Sequence, residues 1–344
     1  MNKLFDVCDG GDIETVKLLI SHGANINEKN DVGQSPLHYA CRCEHYDIAE
    51  LLISNGAIVN DKNDYGETPL HNVCVNGCYR IAKLLISHGT NINDKNNYGE
   101  TLLHTACLYG HDHIAKLLIS HGSYVNEINC IYDTPLHYAC HWGYDIIVEL
   151  LISHGANVNA KNYELNTPLH ACRHSFDKIS KLLIAHGANI NDKNNHNQTP
   201  LHTACLDKCY MKVELLISYG ANINEKDDNG NTPLHISCAQ KCYEITKLLL
   251  SHHANVNDKA INGNTALHYV CYYGNCKMVE LLMDNGANIN SKNGDDAIPI
   301  MIAQMHDNND IVILLEKELK KRIYILSLII NNDVLKHHIM RKFD

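Results

Sequence analysis

A four-residue phrase returns along this chain at nearly constant spacing, and no other feature limits the possible folds as much. Ser35-Pro36-Leu37-His38 recurs as Thr68-Pro69-Leu70-His71, Thr101-Leu102-Leu103-His104, Thr134-Pro135-Leu136-His137, Thr167-Pro168-Leu169-His170, Thr199-Pro200-Leu201-His202, Thr232-Pro233-Leu234-His235 and Thr265-Ala266-Leu267-His268, in steps of 33 residues with one step of 32. A fixed period of this size means one small supersecondary unit that cannot bury its apolar face alone and is copied so that neighbours cover it. A chain of 344 residues would otherwise suggest two or three globular domains, but a stack lengthens by adding copies, so one stacked domain is expected.

Each copy reads as a turn and two helices. A polar tip such as Asn96-Asn97-Tyr98-Gly99-Glu100 holds a glycine where a tight turn needs its backbone freedom. Thr, or Ser35, then reads as a helix N-cap with Pro at the first helical position, where the missing N–H costs nothing. His stands three residues after the cap, where a capping box places Glu or Gln, so its ring is expected to reach back to the Thr. Small pairs such as Ala106-Cys107 let a short first helix pack closely, and Ile114-Ala115-Lys116-Leu117-Leu118-Ile119 gives a second helix with apolar residues at helical spacing. That helix stops at a glycine such as Gly122, and an Ala-Asn-Ile-Asn exit leads to the next tip.

This order of tip, Thr-Pro-Leu-His cap, Leu-Leu pair and Gly-Ala-Asn-Ile-Asn exit resembles the ankyrin repeat over roughly residues 1 to 320. The resemblance implies an all-α ankyrin-repeat solenoid of stacked helix-turn-helix units with a row of β-turn fingers, about ten repeats in all. We expect an N-terminal capping repeat over 1–30, eight repeats over 31–293, a degenerate repeat over 294–322, and a helical tail or cap over 323–344. Repeat six is one residue short in its first helix, which predicts a kink near residues 165–180. Tyr132, Leu165 and Asn197 replace the tip glycine and His253 the helix-ending one, which predicts strained turns there.

The many His and Cys residues read as framework. Of 24 histidines, eight lie in the caps and six at the end of the second helix. Of 15 cysteines, nine share one first-helix position, where free Cys behaves as a small hydrophobe. Cys74/Cys78, Cys205/Cys209 and Cys238/Cys242 would share a helix face if the helix ran on. Equivalent positions in adjacent helices lie about 8–10 Å apart, too far for thiolates around one zinc or for a disulfide. Neither metal nor any other cofactor is expected. No phosphate loop, nucleophile elbow or His-Glu-x-x-His pair occurs, so no catalytic residue is assigned and the chain is read as a non-enzyme.

Charge narrows the partner class. With 29 basic and 39 acidic residues, the net charge of -10 lacks the basic stripe that nucleic acid requires. The run Ile323–Ile330 falls well short of the roughly 20 residues of a membrane span. No secretory signal opens the chain and the cysteines fit a reducing compartment, so a cytoplasmic, monomeric protein is expected, or one in a host cytoplasm if the source is a virus or parasite.

If the framework is structural, function lies where the copies differ. In ankyrin-repeat proteins partners usually contact the turn tips and the exposed end of the first helix, which here are the fourth, third and first residues before each Thr and the seventh and eighth after it. Repeat three then presents Asp64, Tyr65, Glu67, Val75 and Asn76; repeat four Asn97, Tyr98, Glu100, Leu108 and Tyr109; repeat five Cys130, Ile131, Asp133, His141 and Trp142. Tyr163 begins repeat six, and Tyr272 and Tyr273 form a second patch. Tyr65, Tyr98, Leu108, Tyr109, Ile131, His141, Trp142, Tyr163, Tyr272 and Tyr273 are therefore the candidate contacts of a protein partner, with Trp142, the only tryptophan, as the leading anchor. Self-packing of these rings on their own helix pair is the alternative.

From Asn309 the repeat gives way to a charged then apolar helix-like stretch and a basic tail. A cap over the last repeat is one reading. The repeat style is also similar to that of poxviral ankyrin proteins, many of which end in an F-box-like segment. By that resemblance the tail would recruit a ubiquitin ligase while the repeats select its substrate, although the Leu-Pro opening of such a segment is missing here.

Overall fold

The computed structural model describes residues 3–173 and 177–340. Among them are twenty helices and no strand, so the chain is all-α. Its contacts divide it into two compact bodies, Met1–Asn195 and His196–Asp344, and each repeats the same local design. In the first body the leading helices of the repeats are Lys3–Gly10, Pro36–Arg42, Pro69–Asn76, Leu102–Tyr109, Pro135–Trp142 and Pro168–Ala171; in the second they are Pro200–Leu206, Pro233–Ala239, Ala266–Tyr273 and Pro299–Met305. Each is followed by an antiparallel partner nine residues long, such as Asp112–Ser120 or Cys276–Asp284, until the last, which runs from Asn309 to Met340.

The cap explains why each leading helix begins where it does. Thr101 is extended (φ -85°, ψ 167°), and its hydroxyl meets the Nδ1 of His104 at 2.8 Å. The backbone N–H of Thr101 donates to the same ring nitrogen at 3.2 Å, satisfying a donor that the helix start would leave orphaned. Because Nδ1 accepts, Nε2 carries the proton and donates to the carbonyl of Asp133 at 3.0 Å. The ring therefore ties its own cap to the finger of the following repeat. His38 to Glu67, His137 to Asn166, His202 to Asn231 and His268 to Ala297 make the same reach.

The core runs between the two helix layers. Leu103, Ala106 and Cys107 of a leading helix and Ile114, Ala115 and Leu118 of its partner are wholly buried. The first-helix cysteines, Cys41, Cys74, Cys107, Cys140 and Cys205 among them, are buried thiols. The second helix ends on a left-handed residue, as at Gly122 (φ 87°).

Two ladders join consecutive repeats at the exits and fingers. The Asn60 side chain donates to the carbonyl of Gly89 (3.2 Å) and accepts from the N–H of Asn91 (3.0 Å); Asn27 does the same one repeat earlier, and Asn93 and Asn126 one and two repeats later. At the tips, the N–H groups of Asp64, Asn97, Cys130, Tyr163 and Asn195 donate to the carbonyls of Val32, Tyr65, Tyr98, Ile131 and Glu164. Asp228, Ile261 and Gly294 continue the pattern within the second body, bonding to His196, Asn229 and Asn262.

The irregular positions behave as their chemistry dictates. Tyr132, Leu165, Asn197 and His253 all adopt left-handed φ, between 54° and 64°, so the strain expected from their lost glycines is present. Glu44, Lys208, Lys241, Asp296 and Asp307 do likewise, and sequence reasoning did not find them. Repeat six keeps only Pro168–Ala171 of its first helix; of the region where a kink is expected, residues 174–176 lie outside the described residues. Cys78, Cys209 and Cys242 are N-caps of second helices, so the cysteine pairs four apart never share a helix face. Lys212 is 1% exposed in a column that holds Thr15 in the first repeat and elsewhere Ile48, Ile81, Ile114, Ile147, Ile179, Ile245, Met278 and Ile311.

In the final helix, Ile311 and Leu315 are buried while Ile323 and Tyr324 are exposed. No described helix is long and apolar enough to cross a membrane. Residues 341–344, the end of the basic tail, lie outside the described residues.

Candidate interaction surface

A buried asparagine at the base of the fingers of repeats three to five sets the geometry of the surface. The Oδ1 of Asn63 accepts the backbone N–H of both Tyr65 (3.0 Å) and Glu67 (2.9 Å). Asn96 does this for Tyr98 and Glu100, and Asn129 for Ile131 and Asp133, all at 3.0 Å. One short polar side chain thereby closes the turn from within. It fixes an apolar residue at the tip and a carboxylate two residues later, in three repeats running.

The tips point their side chains at solvent: Tyr65 is 49% exposed, Tyr98 59% and Ile131 53%. Tyr163, beside the next tip, is 69% exposed. At the other border, Tyr109 and Trp142 are the last residues of their helices, each followed by a left-handed glycine, Gly110 and Gly143, and they are 47% and 50% exposed. The His141 ring meets Trp142 edge-on with centroids 5.1 Å apart. His141 and Leu108 are half-buried. All the side chains named from the sequence for the first body thus reach the surface, at finger tips or helix ends.

The carboxylates are held by neutral donors. Glu67 accepts from Asn63 Nδ2 (3.0 Å), Glu100 from Asn96 Nδ2 (3.1 Å) and the Tyr138 hydroxyl (2.8 Å), and Asp133 from Asn162 Nδ2 (2.9 Å). Burial and the neighbouring Glu100 push the Tyr138 phenol far above its ordinary pKa, so it remains a hydrogen-bond donor. Tyr138 was not among the residues singled out from the sequence, because its role appears only when adjacent repeats are placed in register.

The patch in the second body is more self-contained. Tyr272 and Tyr273 meet edge-on at 4.8 Å, Tyr272 lies 4.1 Å from the His306 ring, and the Lys241 ammonium stands 5.2 Å from the Tyr273 ring. Tyr272 and Tyr273, with Asn264, His268, Tyr269 and Ile302, line a shallow cavity of about 180 Å³.

The framework His and Cys carry no visible chemistry of their own. Burial lowers the pKa of His71, His104 and His235 to about 4, and raises the thiols of Cys8, Cys238 and Cys271 to about 12. Among the described residues no three His, Cys, Asp or Glu side chains converge in a metal-holding group.

The chain is similar to the protein phosphatase 1 regulatory subunit 27 of Homo sapiens and that of Mus musculus, each 46% identical over 39 residues, which is 11% of this chain and 25% of the relative. The chain thus matches only about a quarter of the length of these curated relatives. The family profile for ankyrin repeats (3 copies) matches residues 4–96, 91–162, 162–227 and 212–293. Together with the capped helix pairs and bonded fingers, that coverage places the chain in the ankyrin-repeat family, whose repeats are protein–protein interaction modules.

Proposed function

We propose that this protein is a non-catalytic scaffold that binds a protein partner through its fingers and the exposed ends of its first helices. We further propose that it acts as a cytoplasmic monomer and uses neither cofactor nor nucleic acid. The observation that carries this reading is the unbroken column Tyr65–Tyr98–Ile131, exposed on three successive fingers and flanked by Tyr109 and Trp142. Large aromatic side chains held out by rigid turns lose little entropy on binding and are the usual anchors of interfaces. Among the described residues the only ring contact of Trp142 is with the adjacent His141, which favours contact with a partner over self-packing. The test is the double variant Trp142→Ala/Tyr109→Ala, which should keep its helix content by circular dichroism and lose recovery of the partner from native lysate. Undiminished recovery overturns the reading.

A second reading adds recruitment by the tail. The final helix, Asn309–Met340, is 32 residues long where its counterparts have nine, and Ile323 and Tyr324 are exposed. Burial of Ile311 and Leu315 supports a cap over the last repeat, whereas the length beyond them supports an adaptor whose tail recruits a ubiquitin ligase. Pull-downs with and without residues 309–344 separate the two: loss of ligase subunits with folding intact supports the adaptor, and loss of folding supports the cap.

A further inference from the structure

The proposed binding face has a charge pattern that selects among partners. In repeats three to five each apolar tip is followed two residues later by a carboxylate: Tyr65 by Glu67, Tyr98 by Glu100, Ile131 by Asp133. None of these three is in an ion pair among the described residues. The lysines at the finger bases are engaged elsewhere, Lys29 with Asp61 (2.8 Å), Lys62 with Asp94 (3.5 Å) and Lys95 with Glu127 (2.6 Å). The tip and helix-end positions of these repeats contain no Lys or Arg at all. The pattern is local: in the second body the corresponding tips are His196, Asn229, Asn262 and Asp295, and the corresponding acids are replaced by Gln198, Asn231, Asn264 and Ala297.

We propose that this face docks an extended segment of a partner protein with a basic residue at about every third position and apolar side chains between. The inference rests on the scaffold reading above and names its partner class. An apolar column beside uncompensated carboxylates favours a cationic, partly apolar ligand, and it repels acidic ones. Spacing supplies the register. Neighbouring helices in a stack lie about 8–10 Å apart, and an extended chain advances about 3.3 Å per residue, so three partner residues span one repeat. Each Lys or Arg then meets Glu67, Glu100 or Asp133 in turn, while intervening side chains lie against Tyr65, Tyr98 and Ile131. Trp142 and Tyr109 close the other border.

Trp142, as the sole tryptophan, reports occupancy directly. The full chain is titrated with three nine-residue peptides of Lys, Ala and Val: one with Lys at every third position, one with the same residues and the three Lys contiguous, and one with Gln in place of each Lys. The spaced peptide should bind roughly tenfold tighter than the Gln peptide, outbind the contiguous one, and weaken as salt rises. Glu67→Gln/Glu100→Gln/Asp133→Asn, with folding verified by circular dichroism, should abolish the preference for Lys over Gln. Glu149→Gln/Glu244→Gln/Glu280→Gln, which removes three exposed carboxylates on second helices, should retain it. Equal binding of the spaced and Gln peptides, no binding by any peptide, or equal loss of preference in both triple variants overturns the proposal. If the cationic preference fails while partner recovery still depends on Trp142 and Tyr109, the scaffold reading stands and only the partner class is wrong.

Discussion

The imidazole of His104 spans two repeats: its Nδ1 lies 2.8 Å from the Thr101 hydroxyl, and its Nε2 lies 3.0 Å from the carbonyl of Asp133, 29 residues further on. One ring serves as a helix cap and as a tie to the next finger. His104→Ala removes both bonds, strands a buried carbonyl and opens a void. A loss of about 2–4 kcal/mol is expected, read as a lower urea midpoint, with hydrogen-exchange protection falling first at residues 101–104 and at the finger of repeat five.

The same burial makes the stack sensitive to acid. The folded pKa of His71, His104 and His235 is about 4, against about 6.5 for an unfolded histidine. Between these values the unfolded chain binds more protons, so stability is full above pH 6.5 and falls as pH drops toward 4. Each of the three contributes on the order of 3 kcal/mol over that window. Urea midpoints at pH 7.5 and pH 5 check this; a flat profile refutes the neutral, buried assignment.

Turn substitutions should act with opposite sign at two fingers of the first body, one in repeat six and one in repeat four. Leu165, at φ 56°, occupies a conformation that costs a side chain about 1–2 kcal/mol, so Leu165→Gly should raise the thermal midpoint. Gly99→Ala should lower it by more, because at φ 73° the new Cβ would also stand 3.0 Å from the backbone nitrogen of Cys130.

Thiol labelling of the native protein should be selective. Cys130 is exposed, Cys43, Cys78, Cys242 and Cys276 are half-buried, and the rest are buried. A thiol pushed to about 12, as at Cys8, supplies almost no thiolate at neutral pH. Mass spectrometry after brief alkylation should find Cys130 modified first, and the first-helix cysteines only in denaturant.

Trp142 should matter little to stability. Half-exposed at a helix end, its replacement by Ala is expected to shift the unfolding free energy by less than about 0.5 kcal/mol. A large loss would mean that the indole packs into the fold.

The framework was readable because each of its rules is local. Thr-Pro sets a cap, a Leu-Leu pair sets a buried face, and a glycine sets a helix end within a few residues. The left-handed turns at Tyr132 and Leu165 followed from the same comparison of copies. Glu44, Lys208 and Lys241 fall in the turn between the two helices, which holds Gly77, Gly110 and Gly143 in other repeats, a column outside the fingers and helix ends where left-handed turns were expected. The forward reach of His104 and the bond from Tyr138 to Glu100 depend on the register between repeats, which no single copy encodes. Lys212 is the one charged residue in a column that is mostly isoleucine, and the period alone offers no warning of its burial. For the surface, the tip and helix-end positions were legible as columns. That Asn63, Asn96 and Asn129 each align an apolar tip with its carboxylate became visible only with the turn geometry.

The bonds that join one finger to the next run from backbone to backbone, as from the N–H of Asn97 to the carbonyl of Tyr65. They are indifferent to what the tip residues carry as side chains. Mutation can therefore rewrite Tyr65, Tyr98 or Ile131 without loosening the joint beneath, and such a chain can drift from one binding specificity to another through intermediates that all remain folded.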